Sequence, residues 1–286
     1  MSDAFRVVQI SDTHLSAMRA YGTGNFDAVV DWLAAAPPDL VVQTGDIALD
    51  DPDDDDDRSF AHAQHERISA PLVAIPGNHD IGDSGPTPWM GQRVDATRVD
   101  RFVATWGADR FVVDHGSWRL IGINALLCGE LADRDAAQLD WLAEHLRDPD
   151  HVAVFLHKPL CLERLDRDDP PGVSVERPAR DRLWRLLRLH AVRLVASGHL
   201  HRSRSMLLDD GVAAVWAPST AFLGTPRHDG SLQRCGVIEY AFDGPSVRWG
   251  HVEPPGLSHR LATDLAAGAR SMREGPLAPY APAVGA

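Results

Sequence analysis

Cysteine is scarce in this sequence. Cys128, Cys161 and Cys235 are the only three, an odd number at wide spacings with no C-x-x-C pair. That excludes a disulfide framework, fits a reducing compartment and makes each thiol a small buried apolar residue rather than a nucleophile. Long apolar runs are missing too: no stretch approaches the roughly 18 residues of a membrane-spanning helix. Asp3 stands where a secretory leader is basic, and Val7 to Ile10 is too short for a leader's apolar segment. The expected address is the cytoplasm, with no membrane association.

Positive charge is short. Lys+Arg is 28 against 41 Asp+Glu, a net charge of −13, and Lys158 is the single lysine. This balance repels nucleic acid and anionic membranes, so a nucleic-acid partner is disfavoured. It leaves room for a small anionic substrate held at a local cationic site, which bound metal ions can supply. What the sequence does have is ordinary core material, with 44% hydrophobic residues over 286 positions, and 14 histidines. One large α/β domain or two small ones would fit that length.

The order of elements is legible in the apolar pattern. Strands are expected over Phe5–Ser11, Asp39–Thr44, Pro71–Pro76, Val152–Leu156 and Val192–Ser197, with a hairpin from Arg110–Asp114 and Trp118–Asn124. Helices are expected over Asn25–Ala36, capped by Asn25, and over Arg58–Ser69, Thr97–Trp106, Arg134–Arg147 and Ala179–His190. Asp50–Asp57 reads as a solvated acidic loop, and Glu163–Val175 as a polar excursion suited to a mobile flap. Four short antiparallel strands follow His201. The expected organisation is one domain over residues 1–252 and a Pro/Gly/Ala-rich tail over 253–286, with one short helix near 258–267.

Five polar motifs sit directly after predicted strands: Asp12-Thr13-His14, Gly45-Asp46, Gly77-Asn78-His79-Asp80, His157, and Gly198-His199-Leu200-His201. Ligand sites of α/β proteins assemble at the carboxyl ends of strands, so five such ends point to one shared site. The donors are imidazole, carboxylate and one amide oxygen, without thiolate. That chemistry suits zinc, manganese, iron or cobalt. Two such ions about 3.5–4 Å apart can share a carboxylate and clamp the attacking and leaving oxygens of phosphoryl transfer.

At these residues the sequence resembles the calcineurin-like metallophosphoesterase superfamily. Its undivided G-H-L-H and its G-N-H-D are most similar to the class III cyclic nucleotide phosphodiesterase branch. The resemblance implies a four-layer αββα sandwich of two mixed sheets flanked by helices, with a dinuclear centre at one edge. It assigns Asp12, His14, Asp46 and His201 to one ion and Asp46, Asn78, His157 and His199 to the other. The ions are two divalent or mixed-valence metals. The reaction it implies is attack of a metal-bridging hydroxide on a small phosphodiester, a cyclic nucleotide such as 3′,5′-cyclic AMP or a glycerophosphodiester-like molecule. A homodimer is implied by the same analogy.

In the family the histidine at position 79 donates to the phosphate or protonates the leaving oxygen. Many two-metal phosphatases of this superfamily pair that histidine with a carboxylate three residues after the bridging aspartate. Here that position is Leu49, and Asp50, Asp51 and Asp80 are the candidate substitutes, with Asp80 also read as a structural residue that orients a neighbour. Purple acid phosphatases carry a tyrosine ligand soon after G-D, and Ile47–Asp51 holds none. The competing reading is a metal-dependent phosphomonoesterase acting on a nucleotide or metabolite phosphate. Its extra substrate charge would need a cationic group such as Arg202 or Lys158.

Overall fold

The computed structural model describes residues 4–49 and 51–265. In chain order the elements are β1 (Phe5–Ile10), α1 (Thr23–Ala35), β2 (Leu40–Gln43), α2 (Asp55–His65), β3 (Leu72–Ala74), α3 (Asn78–Ile81) and α4 (Ala96–Trp106). Then come β4 (Phe111–His115), β5 (Trp118–Gly122), α5 (Ala132–His145), β6 (His151–Phe155), α6 (Arg177–Leu187) and β7 (Val192–Ser197). The chain continues through β8 (Arg204–Leu207), β9 (Ala213–Trp216), β10 (Val237–Asp243) and β11 (Ser246–Val252).

Two mixed sheets form. One has the order β11-β10-β1-β2-β3, the other β4-β5-β6-β7-β9-β8. β1, β2 and β3 run parallel, as do β5, β6, β7 and β9; antiparallel strands close three of the four edges, and the parallel β3 forms the fourth. The inner strands are buried on both faces, which is why they read as near-continuous apolar runs. Successive side chains point to opposite faces. Val7, Leu40 and Val42 pack between the sheets with Leu120, Ala153, Phe155 and Leu194. Their neighbours Val8, Ile10 and Val41 pack outward on Phe26, Val29 and Leu33 of α1. In the second sheet Val152 and Val154 pack on Leu142 of α5 and on Leu183 and Leu187 of α6. The result is a four-layer αββα sandwich. No helix among the described residues is long and apolar enough to cross a membrane.

Four local expectations differ from the structure. Asn25 does not cap α1, which begins at Thr23; its amide instead donates to the carbonyls of Thr220, Ala221 and Ser258. The acidic run is not a solvated loop throughout. Asp54 caps α2 by accepting from the Asp56 and Asp57 N–H groups, and Asp55–Asp57 form its first turn, where the helix dipole favours negative charge. Asp57 is buried and accepts the Ala17 N–H at 2.8 Å. The Glu163–Val175 excursion is tied down: Leu165 and Val175 lie in the apolar core, and Arg180 bonds Asp169 at 3.1 Å. Of the short helix near 258–267, residues 262–265 are helical, and 266 and 267 lie outside the described residues. The chain after β11 packs back on the sandwich, with Leu257 in the apolar cluster beside α1 and Leu223 bonded to Arg260 and Ala262.

Candidate metal centre

The parallel strands β1, β2, β3, β6 and β7 all end at one edge of the sandwich, and the five motifs follow them there. Backbone pairing continues past the strands: Asp12 N–H donates to Gly45 O and His14 N–H to Asp46 O. The two sheets are stitched beneath the site. The His157 Nδ1–H donates to Thr44 O at 2.7 Å, and Gln9 Nε2 donates to Thr44 Oγ1 and Ser197 O. Glycine permits the closest approaches. A Cβ on Gly45, which has φ +95°, would overlap the Gly77 backbone, and one on Gly198 would overlap the Ser11 hydroxyl.

Five of the motif residues leave their strands in the left-handed region: Asp12, His14, Asp46, His199 and His201, with φ between 43° and 68°. Such a conformation costs a non-glycine residue about 1–2 kcal/mol. Concentrated at one edge, it marks a site whose side chains are aimed at the expense of local backbone energy.

The side chains converge in two groups that share Asp46. One holds Asp12, His14, Asp46 and His201, the other Asp46, His157 and His199, and within each the donor atoms lie within 4.8 Å of one another. Asn78 joins the second group, its Oδ1 3.1 Å from His157 Nε2. The two oxygens of Asp46 face different ways: Oδ1 is 3.2 Å from His157 Nε2, and Oδ2 is 3.9 Å from the Nε2 atoms of His14 and His79.

Whether this set fits metal ions is decided by where its protons are. His201 Nδ1–H donates to Phe222 O at 3.0 Å, and His14 Nδ1–H to Leu49 O at 3.4 Å. Each ring therefore turns an Nε2 lone pair inward, and the two Nε2 atoms face each other at 3.0 Å. The buried Oδ1 of Asp12, 3.3 Å from His201 Nε2, has no hydrogen-bond partner. His199 Nε2–H donates to Gly172 O at 2.9 Å, which leaves Nδ1 turned toward His157 at 3.1 Å. In the first group, lone pairs and a carboxylate oxygen thus point at a common centre, an arrangement that repels itself until a cation enters.

The charge balance agrees. Burial pushes His14 and His199 down to about 3, so both are neutral and able to ligate. Burial disfavours a charged His157 as well, but the Asp46 carboxylate outweighs it and raises the imidazole to about 9. A proton at that point serves the same electrostatic need as a cation. Asp46 is held well below the usual carboxylate range, burial being overcome by His157 and His79.

His79 sits at the rim, its ring edge-on to His14 at 4.7 Å and its side chain 12% exposed. Its backbone N–H donates to Asp46 Oδ1 at 2.9 Å. The candidate carboxylates around it are placed otherwise. Asp80 accepts the N–H groups of Ile47, Ala48 and Gly77 at 2.8–3.1 Å and so clamps two motif loops together. Burial, with the nearby Asp46 charge, raises its carboxyl to about 6 against the pull of the Gly77 and Ala48 amides. Asp51 accepts from Asp53 N–H and Gln92. Asp50 lies outside the described residues. Lys158 is buried against Asp83 at 2.5 Å, and Arg202 lies over the Trp216 ring with Nε 3.1 Å from Asp229.

Sequence reasoning did not find Phe222, which stacks on His14 at 4.8 Å and offers its carbonyl to His201. Nor did it find the acceptor carbonyls of Thr44, Leu49 and Gly172. No motif marks them.

The family described as calcineurin-like phosphoesterase matches residues 5–203. The serine/threonine-protein phosphatase CPPED1 of Homo sapiens is 35% identical over 144 residues, 46% of this chain and 42% of its own. This chain thus spans less than half the length of that relative. The cAMP/cGMP dual specificity phosphodiesterase of Mycobacterium tuberculosis is 28% identical over 256 residues, 81% of this chain and 74% of its own. Among solved structures, a purple acid phosphatase from yellow lupin (Lupinus luteus) superposes with a TM-score of 0.63 at 15% identity, over 93% of this chain and 55% of that one. At that identity the likeness is one of fold.

Proposed function

This chain belongs to the calcineurin-like phosphoesterase family, and we propose that it is a dinuclear metal-dependent phosphodiesterase acting on a small diester such as a cyclic nucleotide. The observation that carries the proposal is the pair of ligand groups sharing Asp46, with imidazole lone pairs aimed inward. Asp12, His14, Asp46 and His201 would hold one ion, and Asp46, Asn78, His157 and His199 the other. Zinc, manganese, iron and cobalt suit these donors. Ions held there supply positive charge to the phosphoryl oxygens and lower the pKa of water toward neutrality.

The protein's own groups order the reaction. Asp46, whose separate oxygens face His157 and His14, would serve both ions. Thr44, Leu49, Phe222 and Gly172 hold the imidazole protons on the outer nitrogens. His79, partly exposed beside His14, is the group placed to give a proton to the leaving oxygen, since an alkoxide leaves poorly without one.

A monoester carries more charge than a diester, and the cations that would meet it are engaged, Lys158 with Asp83 and Arg202 with Asp229. That favours the diester. So does the alignment with a cyclic nucleotide phosphodiesterase over 81% of this chain. Three buried free thiols fit a cytoplasmic setting.

The test is turnover of bis-p-nitrophenyl phosphate, p-nitrophenyl phosphate and cyclic AMP by metal-reconstituted protein, beside Asn78→Ala and His79→Ala. Faster diester turnover, lost in Asn78→Ala, is expected. A strong monoester preference overturns the diester reading. Metal-loaded protein that turns over none of the three overturns the proposed activity on such diesters.

A further inference from the structure

The segment between β6 and α6 closes on itself, with Val175 N–H donating to Pro159 O at 2.9 Å. Its polar centre is a buried ion pair. Arg180 of α6 is 1% exposed and donates to Asp169 Oδ2 at 3.1 Å, to Leu160 O at 3.0 Å and to Arg167 O. The same Asp169 oxygen accepts the Leu162 N–H at 3.1 Å and the Ser174 hydroxyl at 2.7 Å. One carboxylate and one guanidinium therefore hold the loop backbone at widely spaced points. From this loop Gly172 presents its carbonyl to His199 Nε2 at 2.9 Å. Gly172 has φ +83°, and its own N–H donates to Glu176 Oε1 at 3.3 Å.

Holding the loop down does not require an ion pair. Leu160, Leu165 and Val175 already anchor it in the apolar core. A buried ion pair is a weak source of stability, because desolvation opposes the attraction. What apolar anchoring lacks is direction, and direction is what the Gly172 carbonyl needs in order to select one tautomer of His199.

We propose that Asp169, Arg180 and Gly172 form a positioning unit for His199. The ion pair orients the loop backbone, the Gly172 carbonyl accepts the hydrogen bond from Nε2–H, and Nδ1 is thereby kept as a lone pair for the ion that Asp46, Asn78 and His157 would share. This rests on the metal reading of the site. The residues are positioning residues, since they act through His199, by way of its hydrogen bond to the Gly172 carbonyl.

The experiment has two readouts. In metal-free protein, long-range 15N–1H spectra of the imidazoles report the tautomer of His199. Zn2+ titration then reports the number and affinity of bound ions. The wild type is expected to show the Nε2–H form and to bind two ions. Asp169→Asn and Gly172→Ala are each expected to give mixed tautomers and to weaken one ion by about 10–100-fold, leaving the other unchanged. Gly172→Ala is the safer variant, because its Cβ would meet nothing closer than 3.9 Å while its φ opposes the native carbonyl direction. A wild-type tautomer and two wild-type affinities in a folded Gly172→Ala protein overturn the proposal, as does equal weakening of both ions. Failure of the metal reading is distinct: the wild type itself would bind no Zn2+, and the proposal would fall with it.

Discussion

The Nε2 atoms of His14 and His201 stand 3.0 Å apart, each ring having its Nδ1 directed at a backbone carbonyl. Two lone pairs at that distance repel, and the buried Oδ1 of Asp12 adds to the deficit of positive charge. A cation that relieves this binds the folded state alone. Chelation is therefore expected to lower the melting temperature, and Mn2+ or Zn2+ at a hundredfold over Kd to restore about 2.7 kcal/mol per site. For a chain of this size that is a rise of roughly 5 °C or more, readable by scanning calorimetry with and without chelator. A melting curve indifferent to metal would contradict it.

His79→Ala separates proton donation from ligand binding. The imidazole is at the rim and belongs to neither ligand group. Turnover of cyclic AMP is expected to fall about 10²–10⁴-fold while the number of bound ions stays the same. The loss should be smaller for bis-p-nitrophenyl phosphate, because nitrophenolate leaves without much protonation. Equal losses on both substrates would remove His79 from the acid role.

Asp80→Asn tests the clamp between the Asp46 and Asn78 loops. The carboxylate accepts three backbone N–H groups, and an asparagine must turn an NH2 toward at least one of them. A loss of about 1–3 kcal/mol is expected in urea denaturation, from an amide left buried without an acceptor. An unchanged midpoint would mean that the loops hold their register without it.

His65 gives a pH dependence away from the candidate metal site. It is buried against Phe26 and Trp106, its Nδ1–H donates to Ala61 O, and Gln43 lies 3.1 Å from Nε2. Burial lowers its pKa to about 4, while the unfolded chain titrates near 6.5. Between these values the unfolded state binds the proton and the native state does not, so stability rises with pH. Its contribution is full above pH 6.5 and is lost as pH falls through 4, on the order of 3 kcal/mol in all. The stability profile of a His65→Asn variant should be flatter over that window than the wild type's. Parallel profiles would rule out His65 as the source.

The sequence already carried the location of the site. β1, β2, β3, β6 and β7 read as short apolar strands of an α/β fold, whose carboxyl ends gather at one edge, and Asp12, His14, Asp46, Asn78, His157, His199 and His201 all lie there. The four layers were implied by the family resemblance, and the structure shows them, with Val7 and Val8 packing in opposite directions. Local chemistry was less legible where two readings competed. An aspartate run serves equally as solvated loop or as cap and first turn, and only the Asp54 bonds to Asp56 and Asp57 decide. Tertiary structure alone decided which nitrogen of each histidine faces inward, that Asp80 clamps loops rather than serving His79, and that Lys158 and Arg202 are engaged by Asp83 and Asp229. The reason is physical. Every residue has a backbone carbonyl, so the acceptors that set the tautomers leave no mark in the sequence, and Thr44 meets His157 across 113 positions only because two sheets pack face to face.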